Sequence, residues 1–175
     1  MNQRILGWLL SPALLVTMKV GAAGLNCLQP DATTGTSLAV TVDDVPLAHT
    51  AQIFPTDASN QVVGLGDARR QADQVLANLE RTLHVAGASL PGVAKLNVYL
   101  ARDADLPHVQ AALAATFSTT SKPAVCFATG VLADAKTLVT MDAVAVSERR
   151  RVGQPIALGN FERGIASIAV LPAGP

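Results

Sequence analysis

Residues 67–100 constrain the fold of this chain most tightly. Asp67 is a natural helix N-cap, with Arg69 and Arg70 in the turn that follows. Apolar residues then recur at Ala72, Val75, Leu76, Leu79, Leu83 and Ala86, in steps of three and four, which draws one apolar stripe along a helix. Gly87 supplies the residue after the helix that tolerates a left-handed backbone. Residues 95–100 alternate strictly instead. Leu96, Val98 and Leu100 lie on one side and Lys95, Asn97 and Tyr99 on the other, as in a half-buried strand. His84, beside the stripe at its end, reads as a helix-end histidine.

A second helix is expected after Asp103 and Asp105, with Pro107 in its first turn and Val109, Leu113, Thr116 and Phe117 on its buried face. Pro123 cannot continue that helix and pushes Lys122 towards an extended conformation. The apolar run after it, 124–128, reads as a strand entering the sheet, where a cleft and its ligand are commonly found. Residues 137–146 make the last long strand.

Upstream, 38–42 is a strand by its β-branched content, and 46–54 contains a second. With Asp43-Asp44 between them, the two suggest a hairpin. Residues 26–37, rich in Asp, Thr, Gly and Pro, read as linker, and 61–63 as a short extra strand. The expected order is strand, strand, helix, strand, helix, strand, strand. Two helices then cover one face of a mixed sheet, an α+β layer. If the strands are apolar on both sides, the other face calls for a second subunit.

The ends carry separate signals. Residues 1–23 join Arg4 to an apolar run and to Gly21-Ala22-Ala23, the order of a secretory signal, although Pro12 and Lys19 interrupt it. The chain is exported on that reading and cytoplasmic if the segment is a retained apolar extension. The run is too short to span a membrane, which takes about 20 residues. Residues 147–175 form a tail in which 165–171 is strand-like, resembling the opening strand of a second, truncated copy of the domain 38–146.

Composition removes several function classes. Thirteen basic and thirteen acidic residues balance to a net charge of zero, so nothing attracts nucleic acid. Arg149-Arg150-Arg151 reads as a solvated strand exit. His49, His84 and His108 have no metal-ligand spacing, and no P-loop or G-x-G-x-x-G is present. Neither pattern points to a bound metal or nucleotide cofactor. Two cysteines, Cys27 and Cys126, are too few for a disulfide framework.

From Gln71 to Leu79, through Ala86-Gly87-Ala88 and on to Val93–Leu100, the sequence resembles the RidA (YjgF) family. Pro123-Ala124 and Asp142-Ala143-Val144-Ala145-Val146 extend the resemblance, and His49-Thr50-Ala51-Gln52-Ile53 looks like that family's Thr-Ser-Gly-Gln-Ile strand. It implies a chorismate-mutase-like fold, a homotrimer with ligand clefts between subunits, and cofactor-free hydrolysis of enamines and imines to 2-oxo acids and ammonia. Active members carry an arginine after Pro-Ala that grips the substrate carboxylate. Here that residue is Val125, followed by Cys126 in place of serine. Where they carry a water-orienting glutamate, this chain has Thr140, with Asp142 at the next acidic position. Their early tyrosine has no match, since Tyr99 is the only tyrosine.

The residues expected to line the cleft are Thr50, Gln52, Gln110, Val125, Cys126 and Thr140. No catalytic residue is singled out. Cys126 would need a base such as His49 to act as a nucleophile, and a buried, inert thiol is the expectation. The reading is a RidA-like small-molecule-binding domain without the usual imino-acid deaminase chemistry. The alternatives are a 2-iminopropanoate or enamine deaminase using other residues, and a regulatory subunit with a vestigial cleft.

Overall fold

The structure is a computed structural model that describes residues 24–119, 121–148, 156–157 and 167–171, the last two segments by their backbone. The apolar segment 1–23 and the run Arg149-Arg150-Arg151 lie outside the described residues. The elements are β1 (Leu25–Asp31), β2 (Thr36–Val42), β3 (Leu47–Thr50), α1 (Ala68–Val85), β4 (Val93–Leu100), α2 (Leu106–Thr116), β5 (Ala124–Thr129), β6 (Val139–Val146), β7 (Ile156–Ala157) and β8 (Ser167–Leu171). All eight strands join one mixed sheet, in the order β1-β2-β5-β4-β6-β3-β8-β7. This is the expected α+β layer. Among the described residues, no helix is long and apolar enough to cross a membrane.

Helix α1 begins and ends as its sequence dictates. The Asp67 carboxylate accepts the Arg70 backbone N–H at 3.0 Å. At the other end Gly87 has φ of +69°, and the Ala88 N–H bonds back to the Leu83 carbonyl at 2.9 Å, closing the helix. The stripe Ala72, Val75, Leu76, Leu79, Leu83 and Ala86 is buried throughout. It meets Leu96, Val98 and Leu100 of β4, Met141, Ala143 and Ala145 of β6, and Val109, Ala112, Leu113 and Phe117 from α2 and its end. Thr116, expected on that buried face, is half-buried, while Ala112 is buried in the same helix.

Strand β4 is the organising strand. It runs parallel to β5 and antiparallel to β6. The parallel pairing needs a crossover, which α2 supplies between β4 and β5. The helix has already stopped at Thr116, well before Pro123, whose carbonyl accepts the Ser37 N–H at 2.9 Å as β5 enters the sheet. The Ser37 hydroxyl and the Cys27 thiol both donate to the Lys122 carbonyl, at 2.8 and 3.3 Å.

The N-terminal region differs from the sequence reading. The hairpin is β1 with β2, not 38–42 with 46–54, and residues 26–37 are strand and turn rather than linker. Strand β3 pairs with β6 and β8 instead. Turn-forming composition hid the hairpin, because Thr, Asp and Gly at 31–36 make its tip and Pro30 tolerates an edge strand. Gly35, at φ +70°, seats that tip on α2: a Cβ there would lie 2.7 Å from the Leu113 carbonyl oxygen. Residues 61–63 give only an isolated bridge, Thr56 to Val62. In the tail, the strand-like run becomes β8, which extends the same sheet alongside β3.

The two sheet faces separate by the pleat. Residues paired directly across antiparallel strands share a face, so Tyr99 with Thr140, Asn97 with Asp142, and Lys95 with Val144 point away from the helices. On β5 the same face carries Ala124, Cys126 and Ala128. A second apolar cluster of Leu25, Ala94 and Val146, with Val40, Val42, Val45 and Leu47 against it, covers one end of this face with the hairpin.

Candidate functional site

The polar groups of the open face gather on β4 and β6. The Asn97 Nδ2 donates to Asp142 Oδ1 at 2.8 Å, and the Tyr99 hydroxyl donates to Asp142 Oδ2 at 2.8 Å. Asn97 lies directly opposite Asp142, and Tyr99 is two residues along the same strand on the same face. The carboxylate is thus held by two neutral donors, one per oxygen. That hydrogen bond to Asp142 is the main reason the Tyr99 phenol is held above its usual range, with burial and the charges of Asp142 and Cys126 adding to it. Tyr99 is a donor at neutral pH.

A second pair sits beside it. The Gln52 Nε2 donates to the Thr140 hydroxyl at 2.6 Å, and Thr140 is fully buried beneath it. Strand β3 reaches this point through an irregularity. His49 pairs with Val144, yet Ile53 pairs with Met141, so the β3 side contains one residue more than β6 does over the same interval. The Thr50 hydroxyl fills the gap by accepting the Ala143 N–H at 2.9 Å. The bulge keeps Ile53 in the core and leaves Gln52 on the open face.

The segment after the bulge is pinned from behind. Buried Asn78 on α1 donates its Nδ2 to the Phe54 and Thr56 carbonyls, at 2.9 and 2.8 Å, and its Oδ1 accepts from Gln74 and Arg81. Buried Gln71 donates to the Gly64 and Lys136 carbonyls and accepts the Leu138 N–H at 2.7 Å, tying α1 to the start of β6.

Of the six residues expected to line a cleft, Gln52 and Thr140 come together, Thr50 accepts the neighbouring Ala143 N–H instead, and Cys126 shares the open face with Gln52 and Thr140, beside Asn97. Val125 points the other way, opposite Leu96, and packs on the core. Gln110 is half-buried on α2, across the sheet from Gln52. Cys126 is exposed, which corrects the expectation of a buried thiol. His49 is not its base: three strand spacings, about 14 Å, separate their strands. Asn97 and Tyr99 were legible only as the polar side of a strand; what makes them a site is the cross-strand register that brings Asp142 between them. Among the described residues, no group of His, Cys, Asp and Glu could hold a metal ion.

Comparisons with known proteins agree on one family. The family model for Endoribonuclease L-PSP matches residues 28–147. The chain is 30% identical over 86 residues to the 3-aminoacrylate deaminase RutC of Acinetobacter baylyi, an alignment spanning 49% of this chain and 68% of that protein. Among solved structures it is similar to YyfB of Yersinia pestis, of the conserved Rid protein family and unknown function, with a TM-score of 0.65 and 27% identity over 70% of this chain and 98% of that one. A YjgF-family protein of Neisseria meningitidis shares the fold, with a TM-score of 0.53 and 21% identity over 71% and 96% of the two chains.

Proposed function

Since the chain belongs to the Endoribonuclease L-PSP family, the RidA/YjgF proteins, we propose that it is a small-molecule-binding member whose clefts lie between the subunits of a homotrimer and which lacks the family's usual imino-acid deaminase chemistry. The observation that carries this reading is the place of Val125. Where active relatives present an arginine to a carboxylate, this side chain is aliphatic and packs on the core. A lost charge-assisted contact of that kind is worth about 1.5–3 kcal/mol. Thr140 stands where the water-orienting glutamate would, and its hydroxyl already accepts from Gln52. Loss of an acid/base group costs a factor of about 10²–10⁴. The uncovered part of the open face, with exposed Lys95 and Cys126, supports a subunit contact there.

The test is a coupled assay with freshly generated 2-aminoacrylate, alongside native mass spectrometry. Ammonia release at the spontaneous rate, a trimeric mass and a retained small molecule are expected. Release above background that disappears in Cys126→Ala or Gln110→Ala would overturn the reading. It would install the second one, a 2-iminopropanoate or enamine deaminase, which the similarity to a 3-aminoacrylate deaminase favours. A clean monomer in light scattering would remove the inter-subunit cleft.

A further inference from the structure

We propose that the outer edge of β3 is a strand-docking surface whose occupant, residues 167–171, acts as a splint that sets Gln52 on Thr140; the inference rests on the reading above for the importance of that pair. Strand β8 is an addition to the family domain, since the family match ends at residue 147. On its inner side β3 pairs with β6 at Leu47, Ala48 and His49, opposite Val146, Ala145 and Val144, and there the regular ladder stops. On its outer side it pairs with β8 at Leu47, Ala48, His49 and Thr50, opposite Leu171, Val170, Ala169 and Ile168, without a break. Within β3, Thr50 alone has a Cα partner on β8 and none on β6. It is also the first residue of the irregularity that leads to Gln52. Its hydroxyl holds the Ala143 N–H on the β6 side, and β8 holds its main chain on the other. The bulge therefore starts from a backbone fixed by the appended strand, two residues before Gln52.

The docked segment suits an edge that is filled and vacated. Residues 167–171 are uncharged, include the β-branched Ile168 and Val170, and are followed by Pro172, which has no N–H to extend a ladder. Without them the outward N–H and C=O groups of β3 would stand unpaired within the subunit, a row that accepts an extended backbone. Beyond β8 lies only β7 among the described residues, and it pairs there at Ile168 and Ser167 alone. Ala169 and Val170 are thus paired with β3 and with no described strand outside it. Residues 147–166 join the end of β6 to β8, so a long connection, rather than a tight turn, brings the strand to its place. A strand held by one neighbour at the end of such a connection can leave while β3, β6 and β4 stay paired. The consequence falls on Thr140. Docked, β8 keeps Gln52 donating to the buried Thr140 hydroxyl. Once β8 is released, Thr50 loses its main-chain partner, the turn into Gln52 loosens, and that hydroxyl is left without its donor.

Two proline variants of the full chain, Ala169→Pro and Val170→Pro, carry the test, read by NMR on isotope-labelled protein. In an antiparallel pair, adjacent residues point their N–H groups to opposite sides. One of the two variants therefore removes a donor to β3, and the other removes a group that faces no described strand. At least the former is expected to speed amide exchange at 47–50 by several-fold to about tenfold, the scale of a lost backbone hydrogen bond, and to move the Gln52 side-chain amide resonance. Amide exchange at the buried Leu96 and Val98 of β4 should stay as in the wild type, which shows the core intact. A Gln52 resonance that stays in place while exchange in β3 accelerates overturns the inference, because β8 then covers the edge without setting the pair. Unchanged exchange at 47–50 in both variants also overturns it, because β8 is then not docked on β3. No readout here uses a ligand, so either failure leaves the small-molecule reading standing. A wild type that retains no small molecule in native mass spectrometry overturns that reading and leaves the splint in place.

Discussion

The two faces of one sheet are made from alternate residues of the same strands, yet they serve different ends. The face under α1 and α2 is apolar to the last position: Leu96, Val98, Leu100, Met141 and Ala143 are each almost wholly buried. The opposite face carries Lys95, Asn97, Tyr99 and Asp142, whose side chains are half-buried or exposed, with Asn97 and Tyr99 both bonded to Asp142. Shape complementarity holds the first face together, and specific donors and acceptors hold the second. Apolar packing belongs to one side and polar pairing to the other.

The largest effect that would confirm this division is on the covered side. Leu79→Ala removes a fully buried side chain from the centre of the α1 stripe. It should cost about 2–5 kcal/mol by urea denaturation, with no change in the hydrogen bonds of the open face. Gln71→Ala should come next, at about 1–3 kcal/mol for the buried groups left without partners, chiefly the Leu138 N–H. On the open face Asn97→Ala should cost only about 1 kcal/mol, because water can replace the lost donor at half-buried Asp142. A loss as large as that of Leu79→Ala would break the comparison and make the open face a second core.

A pH experiment sharpens it further. Tyr99 has its proton held more firmly in the folded chain than in the unfolded one. Its contribution is therefore present in full below the unfolded value of about 10 and is lost as pH rises through the higher folded value. Stability should fall on the alkaline side in the wild type, and Tyr99→Phe should flatten that part of the profile. The smallest effect is expected from Lys95→Gln, within about 0.5 kcal/mol, since an exposed side chain with no ion pair adds little to stability.

What could be read from the sequence follows the same division. Helix α1, its Asp67 cap, its Gly87 stop and strand β4 were legible because periodicity and end signals are local. Strand β1 was not. Its Asn26, Pro30 and Asp31 have the composition of a turn, and it becomes a strand through pairing with β2. Val125 was legible as a residue and not as a direction, since only the register opposite Leu96 turns it inward. The group around Asp142 depends wholly on which residue faces which across two strands, and no spacing along a single strand encodes that.

The extra residue between His49 and Ile53 works as a phase shifter. Pair the unchanged chain one to one from His49 onward, and every side chain beyond that point exchanges sides: Ile53 would be thrust into solvent and Gln52 into the greasy interior. A single-codon deletion at Ala51 removes the offset together with the residue and leaves Ile53 opposite Met141, so it is a milder insult than the insertion of one residue there. What this stretch must preserve is the meeting of Ile53 with Met141, so the chain here is phased rather than spelled.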